Sequence, residues 1–91
     1  PKFHYQMAEY FGWGFVEVYI DADKGRIQKA QVYSDVLFPD LIEAFQAALG
    51  GKSFSGGGIK EAASETLQQL PQHEAEIKDL ERWLAAQTEI A

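Results

Sequence analysis

The chain has 91 residues, 46% hydrophobic and 24% charged, enough for one small domain with a packed core and too short for two. Fourteen acidic residues against eight basic ones give a net charge of −6, which repels a phosphate backbone and disfavours general nucleic-acid binding. With no cysteine, disulfides, thiolate metal sites, cysteine-held iron-sulfur clusters and a cysteine nucleophile are excluded.

From Phe3 to Phe11, and again from Phe15 to Asp21, aromatic and β-branched residues predict two strands. In the second, Val16, Val18 and Ile20 alternate with Glu17, Tyr19 and Asp21, so one side is core. Gly12 and Gly14 flank Trp13 and give the backbone freedom to close a hairpin. Ala22-Asp23-Lys24-Gly25 predicts a second hairpin turn that closes with a bulge. A third strand is expected from about Arg26 to Tyr33. Its apolar residues Ile27, Ala30 and Val32 break parity, which favours a bulge that shifts the phase over Ile27 packing on the opposite side.

Beyond Asp35 the period changes. Leu41, Ile42, Phe45, Ala48 and Leu49 mark one helical face, with Pro39 suited to the first turn and Gly50-Gly51 to the end. A second helix is predicted over about Ile59 to Leu70, where Ile59, Ala62, Ala63, Thr66, Leu67 and Leu70 form a stripe that stops before Pro71. The last helix should span about Gln72 to Gln87, with Ile77, Leu80, Trp83 and Leu84 inward and Glu74 four residues before Lys78. Lys52 to Gly58 reads as a flexible loop. The expected class is α+β: a three-stranded antiparallel meander covered on one face by about three helices, a single domain over residues 1–91.

No apolar run approaches the roughly 20 residues that cross a bilayer, and the amino end lacks a signal peptide's order of basic then apolar residues, so the chain reads as soluble and cytoplasmic. Opening at Pro1 without a Met, it reads as a processed chain or a piece of something larger.

Candidate chemistry is sparse. Gly51-Lys52-Ser53 lacks the glycine five positions before Gly51 that a phosphate loop needs; Gln46 stands there, and the segment reads as a helix stop. Gly56-Gly57-Gly58 reads as a loop before a helix in preference to an anion cradle. His4 and His73 lack ligand spacing and read as surface histidines. The pairs Asp21 with Asp23 and Glu74 with Glu76 fit turns and solvated helix faces. Neither Ser34 nor Ser53 has a nucleophile setting. No catalytic, cofactor-binding or metal residue is therefore assigned. The aromatic series Tyr10, Phe11, Trp13, Phe15, Tyr19, Tyr33 and Phe38 is more than three helices can cover, which leaves some rings for a partner surface.

Three segments carry a family resemblance: Tyr10-Phe11-Gly12-Trp13-Gly14-Phe15-Val16-Glu17-Val18, then Asp21-Ala22-Asp23-Lys24-Gly25-Arg26-Ile27, then Ala30-Gln31-Val32-Tyr33-Ser34-Asp35. Gly50-Gly51, Leu67 to Pro71 and Leu80 to Ala85 around Trp83 follow in the same order. Together they resemble the carboxy-terminal accessory domain of bacterial lipoate-protein ligase A, over nearly the whole chain. The resemblance implies an ATP-dependent ligase system that activates lipoate to lipoyl-adenylate. The lipoyl group then passes to a lysine of a carrier such as the glycine-cleavage H-protein or a 2-oxoacid dehydrogenase acyltransferase domain. It implies that ATP, Mg and lipoate are handled by a large catalytic domain, and that this domain is not catalytic by itself. It also implies a fold similar to iron-sulfur scaffold proteins. Trp13, Phe15 and Tyr33 are the expected contacts with the large domain. The alternative is a free-standing protein-interaction adaptor unrelated to lipoylation.

Overall fold

The computed structural model describes residues 3–90. Three strands, β1 (Tyr5–Phe11), β2 (Gly14–Asp23) and β3 (Arg26–Ser34), precede three helices, α1 (Pro39–Leu49), α2 (Gly56–Gln69) and α3 (Glu74–Ile90), with one 3-10 turn at Pro71–His73. The sheet is antiparallel in the order β1-β2-β3, the expected meander.

Lys24 and Gly25 close the second hairpin, both at positive φ (53° and 76°), as a two-residue turn matched to strand twist requires. The bulge lies inside β3 and not at the turn. Pairing jumps from Asp21 with Lys29 to Ala22 with Ile27, so Gln28 is the extra residue. That one-residue slip brings Ile27 to the side of Ala30 and Val32, where it is 1% exposed. β1 begins at Tyr5, two residues later than its composition suggests, because the ladder ends at the pair Tyr5 with Ile20. His4 instead sets its Nδ1 against Asp21 Oδ1 at 2.7 Å.

Val16, Val18 and Ile20 are fully buried, and one cluster joins them to Ile27, Val32, Phe45, Leu49, Ile59, Leu80 and Leu84. A smaller cluster of Leu41, Ala63 and Ile77 fastens the three helices to one another. Thr66, buried in the α2 stripe, donates its hydroxyl to the Ala62 carbonyl at 2.8 Å and leaves no polar atom stranded. The helical side of the sheet is therefore dry. Among the described residues, no helix covers its opposite side.

Two sequence expectations need correction. Lys52 to Ser55 is a connection pinned to β3, and Gly56 to Gly58 are already helix. Gly51 N donates to Ile27 O, Ile27 N to Lys52 O and Phe54 N to Gly25 O at 2.8–2.9 Å, a short ladder on the outer edge of β3. α2 then starts at Gly56, three residues earlier than predicted, because the Ser55 hydroxyl accepts from Gly58 N at 3.2 Å and caps the first turn. Likewise His73 is no surface histidine: its side chain is 15% exposed, with its ring 4.7 Å from that of Phe38 and its Nδ1 3.7 Å from Glu76.

The same ladder disposes of the phosphate-loop comparison. Gly51 sits at φ 82° just past α1, and Lys52 Nζ donates to the Ala48 carbonyl (2.9 Å) and pairs with Glu65 (3.0 Å), tying the end of α1 to α2. Gln46, where that motif needs glycine, accepts from Val32 N at 2.8 Å and satisfies a donor on the edge of β3.

Candidate functional site

The period-two geometry of the strands sends Gln6, Ala8 and Tyr10 of β1, Phe15, Glu17, Tyr19 and Asp21 of β2, and Lys29, Gln31 and Tyr33 of β3 to the bare side. Cross-strand pairs there are Tyr10 with Phe15, Ala8 with Glu17, Glu17 with Tyr33, and Tyr19 with Gln31. Rings meet across them: Tyr10 and Phe15 at 4.6 Å between centroids, Tyr19 and Tyr33 edge to face at 5.7 Å, and Phe3 and Tyr19 at 5.8 Å. Tyr10 is 80% exposed and Tyr33 53%. This is a wet aromatic face with one carboxylate, Glu17, near its middle.

Glu17 is half-buried between Phe15 and Tyr19 along its strand and Tyr33 across it, while the small Ala8 leaves the other side open. Gln6 Nε2 donates to Glu17 Oε2 at 3.1 Å and to the Tyr19 hydroxyl at 3.2 Å. The Glu17 carboxylate, through a side-chain hydrogen bond and its charge, holds the Tyr19 hydroxyl above the usual phenol range. Tyr33 donates its hydroxyl to Gln31 Oε1 at 2.6 Å.

The aromatic series predicted from the sequence thus divides. Tyr10, Phe15, Tyr19 and Tyr33 take the bare side. Phe11, Trp13 and Phe38 pack toward the helices. Trp13 stacks on Phe11 at 4.8 Å, Phe11 meets Trp83 edge-on, and Trp13 Nε1 donates to Asp79 Oδ2 of α3 at 2.9 Å. Trp13 and Phe15 nonetheless border one groove at the tip of the first hairpin. It is shallow, about 480 Å³, and is lined also by Tyr10, Val36, Leu37 and Phe38, and Leu37 at its rim is 90% exposed. Tyr33 stands apart from that groove, on the sheet face. Asp79→Ala is expected to cost about 1.5 kcal/mol, the low end for a hydrogen bond to a charged group because the carboxylate is partly exposed, read as a lower urea midpoint.

The strand ends carry the local sequence pattern for a physical reason. Where the ladder between β2 and β3 stops, side chains take over: Phe15 N donates to Asp35 Oδ1 (3.0 Å), and Ser34 Oγ donates to Phe15 O (2.6 Å) while accepting from Val36 N (3.2 Å). Val36 lies so close over Gly14 that a Cβ at that position would overlap its Cγ1. Gly14, Ser34 and Asp35 are one joint.

Sequence reasoning named Trp13, Phe15 and Tyr33 and passed over Glu17 and Gln6. The signal for Glu17 was present, an acid flanked two positions away on each side by Phe15 and Tyr19. The Gln6 contact depends on register, which only pairing fixes. Among the described residues, no three His, Asp or Glu side chains gather as a metal-binding group. Nor is any helix long and apolar enough to cross a membrane.

Residues 1–84 match the family described as bacterial lipoate protein ligase C-terminus. The chain belongs to that family. This ligase C-terminal domain is also similar in fold to LipL1 of P. falciparum, solved in complex with lipoate. The TM-score is 0.76 at 20% identity, over 94% of this chain and 25% of that one. At that identity the likeness is one of fold, and the ligase C-terminal domain spans about a quarter of the length of LipL1.

Proposed function

We propose that this domain is the non-catalytic accessory part of a lipoate-protein ligase and packs its aromatic face against the large catalytic domain. In that role it supports ATP-dependent activation of lipoate to lipoyl-adenylate and transfer to a carrier-protein lysine. The observation that carries the reading is the bare side of the sheet, a wall of Tyr10, Phe15, Tyr19 and Tyr33 in a chain whose family is that of ligase C-termini. A sheet face of rings, with Tyr10 and Tyr33 exposed and Phe15 and Tyr19 half-buried between their neighbours, suits an interface better than a monomer's surface.

A lipoyl-adenylate is a mixed anhydride that water destroys. A domain seated beside it contributes by excluding water and by holding the large domain's loops in a productive geometry. To favour one step over another, it must touch the two liganded states differently. ATP, Mg and lipoate are held in this reading by the large domain, and the carriers are the H-protein and acyltransferase domains. Phe15 and Tyr33 supply the sheet-face contact and Trp13 the rim of the hairpin groove.

Adding the chain to the separate large domain with ATP and lipoate should raise lipoyl-adenylate formation. Phe15→Ala and Tyr33→Ala should each lower that gain by about tenfold, the worth of some 1.4 kcal/mol of contact. Their circular dichroism should stay that of the folded chain, since both rings sit outside the core. Rates indifferent to the added chain would defeat the reading.

A further inference from the structure

Glu17 is the charge that the aromatic face encloses. It is half-buried between Phe15, Tyr19 and Tyr33, and its hydrogen bonds come from neutral donors, the Gln6 amide and the Tyr19 hydroxyl. No described Lys, Arg or His lies within ion-pair distance of it, whereas His4 faces Asp21, Lys52 faces Glu65, Lys78 faces Glu74 and Arg82 faces Asp79. Lys29, on the same face, is opposite Asp21 and two pairs away from Glu17 along β2.

Covering this face with an apolar surface would bury an ion that has neutral hydrogen-bond donors but no counter-charge, at a cost of several kcal/mol. An occupant must therefore bring a cation to that spot. The flanking rings select its type: a planar guanidinium can stack on Tyr19 or Tyr33 while it donates to the carboxylate, and a lysine ammonium cannot stack that way. Ala8 provides the gap through which such a side chain reaches Glu17.

We infer that the surface docking on the open sheet presents an arginine to Glu17, stacked against Tyr19 or Tyr33, and that this pair sets the register of the docked large domain. The inference rests on the reading that the large domain covers this face. Because the chain itself carries a net charge of −6, a second copy would meet it with like charge and is disfavoured as the occupant.

The test is the dissociation constant between the 91-residue chain and the separately produced large domain, at low and high salt. Glu17→Gln keeps the shape and the Gln6 contact but removes the charge. It should weaken binding about tenfold or more and flatten the salt dependence. Glu17→Arg should abolish binding through like-charge contact. Glu61→Gln, an exposed acid on α2, changes net charge equally and should leave affinity within about twofold, a surface pair being worth little. If wild type binds and Glu17→Gln binds as well as Glu61→Gln, the arginine contact is wrong while the domain pairing stands. If wild type does not bind, both fall.

Discussion

Gly58→Ala should lower the melting temperature by roughly 10 to 20 °C, while Gly57→Ala, one residue away, should raise it slightly. The two glycines share a helical turn and differ in what lies beside them. A Cβ on Gly58 would fall onto the Ser53 backbone, overlapping its carbonyl oxygen and coming within 2.7 Å of its carbonyl carbon and 2.8 Å of its nitrogen. Ser53 cannot withdraw cheaply. It bridges Arg26, between the bonds from Ile27 N to Lys52 O and from Phe54 N to Gly25 O. The cost is about 3 kcal/mol, at the upper end for forcing extra volume into a packed site. At Gly57 a Cβ meets only Ser55 Oγ at 3.9 Å, so the substitution gains about 0.5–1 kcal/mol by restricting the unfolded chain and favouring helix. Equal shifts at the two positions, measured by thermal circular dichroism, would contradict the close approach of α2 to the edge ladder.

Phe45→Ala should cost about 3–5 kcal/mol, more than any surface change in the chain. Phe45 is fully buried in the cluster that joins the sheet to all three helices, and nothing at its site can collapse to refill the space of a ring. Against a total stability of about 5–14 kcal/mol for a domain of this size, that loss leaves a substantial unfolded fraction under mild denaturant. Phe45→Leu, which keeps most of the volume, should cost less than about 1.5 kcal/mol. A urea titration that placed the midpoints of Phe45→Ala and Phe45→Leu together would show a core loose enough to rearrange.

Much of this architecture is legible in residue order because its signals are local. Val16, Val18 and Ile20 alternate on a single strand, and the stripe from Ile59 to Thr66 recurs at helical spacing, so burial follows from period alone. Even the bulge in β3 is announced by the broken parity of Ile27, Ala30 and Val32. What is not legible depends on neighbours far along the chain. The glycine run looks like a loop because nothing nearby reveals that Ser53 occupies the space beside Gly58. Trp13 lies in a turn, where parity assigns no face, and its direction is settled by Asp79, 66 residues later. Of the candidate contacts, Phe15 and Tyr33 inherit their side from strand alternation. Glu17 becomes conspicuous only once the fold shows that no described cation lies within ion-pair distance of it.

The order of elements also bears on how such a protein is made. All three strands leave the ribosome before any helix, and the residues that finally roof Val18 and Ile20 include Leu80 and Leu84, about sixty positions later. From the end of β3 to Leu84 the ribosome adds fifty residues, so at ordinary translation speeds the nascent meander waits roughly 2 to 10 s for its complete roof. Throughout that interval the half-made product is most open to chaperone capture and to aggregation with its neighbours.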